Sequence, residues 1–226
     1  MKLLYPTSVK LDVKSLEGFG LSLHPYDVYQ PIPEDLIDAE ILVTWDNTNL
    51  PDAAKRMRNL RWIQSLAAGP NEVLAAGFPS NITVTAGTNL HDEMVTEHAL
   101  ALLLSAARRL HEMRDYQNQG KWPGHLGGAL PDRPKGSFTS LKGANVLVWG
   151  MGNIGRKLAP HLRALGANVR GVGLYEEILD GIQVQTNAAL PDLLPHTDAL
   201  LMILPGSKAT WHALNAERLA LLPKHA

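Results

Sequence analysis

Short apolar runs alternate with polar or helix-like stretches through the first ninety residues. Residues 2–6 (KLLYP), 26–30 (YDVYQ), 40–45 (EILVTW), 60–66 (LRWIQSL) and 81–87 (NITVTAG) are rich in β-branched and aromatic side chains, so each predicts a strand. Residues 51–60 predict a helix, with Pro51 at a position where a helix tolerates it. Strands alternating with helices predict a parallel α/β sheet. Residues 92–118 change the pattern. Met94, Val95, His98, Leu102 and Leu110 recur near a helical period, and Asp92 and Glu93 stand at the end that the helix dipole makes favourable for acids. Ala and Leu on several faces predict one long helix buried on both sides. The Gly- and Pro-rich residues 120–138 predict a loop and mark an organisational boundary.

A second α/β pattern follows. Residues 144–150 predict a strand and 153–166 a helix, stopped by Gly166 and tightened or kinked by Pro160. Residues 167–173 predict a second strand, 186–195 carry weak helical periodicity, and 198–205 predict a buried strand. Leu219, Leu221 and Leu222 form an apolar face on a last helix, which Pro223 ends. There is no internal repeat and no low-complexity tract.

Composition narrows the function classes. The formal net charge of -1 gives no bulk reason to expect nucleic acid or a membrane surface as partner. The absence of Cys removes disulfides, thiolate catalysis and Cys-based zinc sites, and no metal site is expected. No apolar run is long enough to cross a bilayer, and MKLLYPTSVK reads as a first strand rather than a leader peptide. The expectation is a soluble, cytoplasmic protein.

The sharpest chemistry lies between strand 144–150 and its helix. Gly150-Met151-Gly152-Asn153-Ile154-Gly155 is a GxGxxG. Gly150 allows the tight turn, Gly152 removes a side chain where a pyrophosphate would approach, and Gly155 lets helix and sheet pack closely. The helix N-terminus offers N–H groups and partial positive charge to phosphates. A Gly-rich turn without a ligand is the alternative, but the strand before, the helix after and the second strand beyond are the context that dinucleotide binding requires. The second strand ends at Val172-Gly173, so the usual acid for the adenine ribose is missing there. Leu174-Tyr175-Glu176-Glu177 follows, with no Arg to hold a 2′-phosphate. The two acids either repel a phosphate or curl back to a diol, or they are solvated loop residues; the cofactor is NAD or NADP, with NAD favoured.

These residues and others in order resemble one family. SLAAGPNEV (65–73), HDEMVTEHALALLLSAARR (91–109), GKW (120–122), LVWGMGNIGRKLA (147–159) and LLMILPGSKATWHALNAERLALLPKHA (200–226) resemble the D-isomer-specific 2-hydroxyacid dehydrogenases, which include phosphoglycerate dehydrogenases and glyoxylate/hydroxypyruvate reductases. The resemblance spans nearly the whole chain and is sharpest in its cofactor half. It implies a flavodoxin-like substrate domain over 1–91 and a Rossmann, doubly wound dinucleotide-binding domain over 92–226, the latter including the connecting helix 92–118. It implies hydride transfer between nicotinamide and a small 2-oxo or 2-hydroxy acid in the cleft between domains, and a homodimer built on the long helix.

Carried over by position, Asn153 and Ile154 lie against the pyrophosphate, Leu204 and Pro205 flank the adenosine, and Thr210 is nearby. Ala68 and Gly69 turn N–H groups toward the substrate carboxylate. Pro70 brings no N–H, and Asn71 stands where an Asp is frequent, offering an N–H or amide instead. Thr96 and Glu97 fall where the family's helix passes the nicotinamide, with a structural role for Glu97 as the other reading. The resemblance also implies a catalytic Arg, acid and His, all after the segment that matches ERLALLPKHA. They are expected beyond Ala226, and none of the nine His matches the catalytic position. The expectation is therefore a C-terminally truncated fragment with an unpaired sheet edge, sticky and inactive alone. A non-catalytic dinucleotide-binding or interaction module and a formate dehydrogenase are the competing readings.

Overall fold

The computed structural model describes residues 1–126 and 137–226. The central part of the loop expected over 120–138 therefore lies outside the described residues. Cα proximity divides the chain into two compact units, Met1–His91 and Asp92–Ala226.

The first unit is a five-stranded, all-parallel sheet. Its strands are β1 (Lys2–Pro6), β2 (Ser22–Tyr26), β3 (Ile41–Thr44), β4 (Trp62–Ser65) and β5 (Thr83–Thr85), in the order β2-β1-β3-β4-β5. Helices α1 (Leu50–Arg56) and α2 (Asn71–Ala75) supply Leu50, Ala53 and Val73 to a core with Leu4, Leu42 and Ile63. The expected strand 26–30 is displaced: β2 ends at Tyr26. The Asp27 carboxylate accepts the Tyr29 N–H at 2.9 Å, a local turn that competes with extended backbone.

Tyr26 shows what burial does in this unit. Its hydroxyl donates to the Val43 carbonyl at 2.7 Å and accepts from Asn47 Nδ2 at 2.7 Å. Burial pushes its pKa well above the ordinary 10, with the Asn47 bond opposing. In the unfolded chain the phenol ionises near pH 10; in the fold it stays protonated. The resulting stabilisation is complete below pH 10 and is lost above it, at about 1.4 kcal/mol per pH unit. Tyr26→Phe is expected to unfold less steeply than the wild type between about pH 10 and 12, read by circular dichroism in urea at each pH. Equal slopes would contradict a protonated, buried phenol.

The second unit opens with α3 (Asp92–Ala107) and α4 (Leu110–Asn118). It continues with β6 (Asn145–Trp149), α5 (Asn153–Ala164), β7 (Asn168–Val172), β8 (Glu177–Leu179), β9 (Ile182–Gln185), α6 (Leu190–Leu193), β10 (Ala199–Met202) and α7 (Ala216–Leu221). The sheet order is β10-β6-β7-β9-β8, parallel except for β8. Alternation along β6 separates two cores. Val146 and Val148 pack with Leu103, Leu158 and Leu162, whereas Leu147 and Trp149 pack with Val172, Leu190 and Leu194.

Three expectations need correction here. The helix expected over 92–118 is two helices, because Arg109 adopts φ 51 and Glu112 takes its guanidinium at 2.7 and 2.6 Å. Nor is it buried on both sides: Met94, Val95, Leu102 and Leu110 are exposed, while Thr96, Leu103 and Ala107 are buried. With Ala and Leu on every face, periodicity cannot say which stripe meets α5. The third is the segment after β7, which is a hairpin rather than a loop. Asp180 (φ 50) and Gly181 (φ 76) form the turn between β8 and β9. An Asp-Gly pair between apolar runs was a legible hairpin signal. Pro160 sits within α5 without ending it.

Among the described residues no helix is long and apolar enough to cross a membrane, and no group of His, Cys, Asp or Glu could hold a metal ion.

Candidate functional site

The sheet order places β6 between β7 and β10, and the helices that follow β6 and β10, α5 and α7, pack on opposite faces of the sheet. In doubly wound sheets ligands bind at the carboxyl ends of strands at such a switch point. Gly150, at φ +117, turns the chain out of β6. Its N–H donates to the Val172 carbonyl at 2.8 Å, and the Ile203 N–H donates to the Trp149 carbonyl at 2.8 Å, so the exits of β7 and β10 close on the turn. A Cβ at Gly150 would overlap the Ile203 carbonyl, and one at Gly155 would overlap the Gly150 carbonyl. Gly152 is different. It is extended (φ -80, ψ -160), it stands at the N-cap of α5, and a Cβ there would meet nothing within 4 Å. As a glycine, Gly152 brings no side chain to cap α5. An open floor without a side chain, at the N-terminus of a helix, fits a diphosphate.

Asn153 is exposed and Ile154 half-buried on the first turn of α5. Leu204 packs partly buried against the Trp149 and Val172 cluster, and Pro205 is exposed. Thr210 is committed to its own loop: its hydroxyl donates to the Pro205 carbonyl at 2.5 Å and accepts from the Ser207 N–H at 3.0 Å. The Ser207-x-x-Thr210 spacing was the sequence signal for that capping box. Sequence reasoning missed Arg156. Its Nε donates to the Met151 carbonyl at 3.2 Å and its Nη2 reaches Glu177 Oε1 at 3.4 Å.

In the first unit, the exits of β4 and β5 shape the segment 66–71. The Gly87 N–H donates to the Ala67 carbonyl at 2.9 Å, and a Cβ at Gly87 would overlap the Leu66 carbonyl. His91 Nε2 lies 2.8 Å from that same Leu66 oxygen, with its ring 5.3 Å from Trp45. A carbonyl can only accept, so His91 carries its proton on Nε2. Because a peptide N–H points away from the carbonyl that precedes it, the Ala68 N–H faces away from Gly87. Ala68 and Gly69 are exposed, and among the described residues neither N–H has an acceptor. Asn71 opens α2, exposed. Two free N–H groups and an amide are a suitable set for an anionic oxygen. The roles of Gly87 and His91 were not legible, since they act on backbone from a neighbouring strand.

Thr96 is buried and its hydroxyl has no partner among the described residues, whereas Glu97 is exposed. His225 forms a His–carboxylate pair: Nε2 lies 2.8 Å from Asp198 Oδ1, and Asp198 Oδ2 accepts the Asn145 N–H at 2.7 Å. That pair lies at the amino ends of β6 and β10, the opposite end of the sheet from Gly150. It tethers the residues after α7 and is not placed to move a proton at the switch point.

Comparisons with known proteins bear on the family and the fold. Residues 100–226 match the family model described as D-isomer specific 2-hydroxyacid dehydrogenase, NAD binding domain. The chain is 24% identical to a D-3-phosphoglycerate dehydrogenase of Methanocaldococcus jannaschii, over 85% of this chain and 36% of that protein. It is 26% identical to a glyoxylate reductase of Pyrococcus horikoshii, over 88% of this chain and 52% of that protein. The chain thus spans about a third to a half of the length of these relatives. The crystal structure of a D-isomer specific 2-hydroxyacid dehydrogenase family protein from Aeromonas salmonicida superposes with a TM-score of 0.79 at 26% identity, covering 100% of this chain and 70% of that one.

Proposed function

The chain belongs to the D-isomer-specific 2-hydroxyacid dehydrogenase family, and from that premise we propose that it is part of an NAD(P)-dependent oxidoreductase acting on a small 2-hydroxy or 2-oxo acid. The observation that carries the proposal is the turn at 150–155, with its open, side-chain-free floor at Gly152 where α5 begins. In this reading Gly150 and Gly155 set the shape of the turn. Gly152, Asn153 and Ile154 present backbone to the diphosphate, and Leu204 and Pro205 flank the adenosine. Thr210 supports them by fixing the 205–210 loop. When bound, the nicotinamide gives or takes the hydride. The Ala68 and Gly69 N–H groups, with Asn71, receive the carboxylate of the acid, and Gly87 and His91 hold their segment in place.

Reduction of a carbonyl also needs a cation on the carboxylate and a positioned acid. No described His is set for that role, so we assign the Arg, the acid and the His to polypeptide beyond these residues. Homodimer contacts in the whole protein are assigned to the exposed stripe of Met94, Val95, Leu102 and Leu110.

The test is a thermal-shift titration of the 226-residue chain with NADH. At about one hundred times its dissociation constant, NADH should add roughly 2.7 kcal/mol of stability. No shift at millimolar NADH would overturn the dinucleotide reading. The same sample should not oxidise NADH with glyoxylate or hydroxypyruvate, and turnover by these residues alone would overturn the assignment of the catalytic groups elsewhere.

A further inference from the structure

The carboxyl end of β7 lacks the acid that usually receives the adenine ribose, and the structure leaves little room for one. A Cβ at Gly173 would press Val184 at 3.1 Å and lie 3.7 Å from the Met151 Cβ. That second contact also shows that the end of β7 adjoins the glycine turn. Arg156 spans this junction, from the Met151 carbonyl on the turn to Glu177 on β8. Glu177 therefore folds back toward the position beside Gly173, although it lies four residues further along the chain. Only its Oε1 is engaged; among the described residues Oε2 accepts nothing. Glu176 is exposed next to it.

The geometry points to Glu177, oriented by Arg156, as the acceptor for the ribose diol and the group that rejects a 2′-phosphate. The inference rests on the dinucleotide reading above. A carboxylate oxygen accepts from hydroxyls and has no donor to offer a phosphate. Arg156 is the cation at this rim, and it is already paired with a carboxylate. Glu177 already offsets that guanidinium, so a group carrying nearly two negative charges gains little from it and meets the Glu177 carboxylate. The pair is half-exposed and contributes little to stability by itself. The hairpin β8–β9 is what makes it possible, since it returns the chain to β7 immediately after Gly173.

Fluorescence titration of the 226-residue chain with NADH and with NADPH tests this. The wild type should bind NADH at least about tenfold more tightly than NADPH. Glu177→Gln removes one charge and frees Arg156, so NADPH affinity should rise about tenfold while NADH weakens severalfold at most. Adding Arg156→Gln to Glu177→Gln should abolish the NADPH gain. Melting temperatures report whether each variant keeps its fold. A wild type that binds NADH and NADPH equally, a Glu177→Gln variant with an unchanged preference, or a gain that survives loss of Arg156 would each overturn the assignment. A wild type that binds neither cofactor overturns the dinucleotide reading and this inference with it.

Discussion

Gly150→Ala is expected to cost the second unit about 3–5 kcal/mol, enough to unfold much of it at room temperature. Two effects add. At φ +117 the backbone is in a region that L side chains rarely adopt, and the new methyl would overlap the Ile203 carbonyl. That carbonyl cannot retreat easily, because the Ile203 N–H is bonded to Trp149 as β10 ends beside β6. Gly77 separates the two effects. It too has positive φ, at +86, but a Cβ there would meet nothing within 4 Å. Gly77→Ala should cost only about 1–2 kcal/mol, the conformational part alone. Urea unfolding followed by tryptophan fluorescence and circular dichroism gives both values. A Gly150→Ala loss no larger than that of Gly77→Ala would show that β10 does not close on the turn as described.

Gly152→Val should do the reverse. Its backbone is extended, open space surrounds the missing Cβ, and no side-chain cap is lost by the change. Stability should stay within about 1 kcal/mol of the wild type. NADH affinity should nevertheless fall by about a hundredfold. The branched side chain would hold the diphosphate away from the backbone, and each charge-assisted hydrogen bond lost is worth about 1.5–3 kcal/mol. Two neighbouring glycines of one motif would thus fail in opposite ways, one through folding and the other through binding. A Gly152→Val chain that keeps its melting temperature and still binds NADH normally would remove the diphosphate from this turn.

The chain's pattern of apolar and polar positions was enough to predict two α/β units. Parallel strands buried on both faces need near-continuous apolar runs, and LLYP, ILVT and VLVW carry them locally. The glycine turn was legible because its requirements are local too: a strand that stays buried to its last residue, Trp149, a backbone that must turn, and a helix beginning at Asn153. The Asp-Gly turn of the hairpin was equally local, and was passed over.

What sequence left open depends on groups brought together from distant positions. The stripe of α3 that is buried depends on where α5 lies, and with Ala and Leu on all sides the chain carries no local mark of it. The hold of Gly87 and His91 on the Leu66–Ala67 backbone joins β4 to β5 across about twenty residues, through carbonyls that every residue type possesses. The link of Arg156 to Glu177 joins a helix to a hairpin, so an acid that reads as a solvated loop residue is instead paired with a guanidinium. Sequence determined the elements and the turn, because backbone sterics and burial act within a few residues. The tertiary structure decided which polar groups face one another, because hydrogen bonds between distant segments leave no periodicity in the chain.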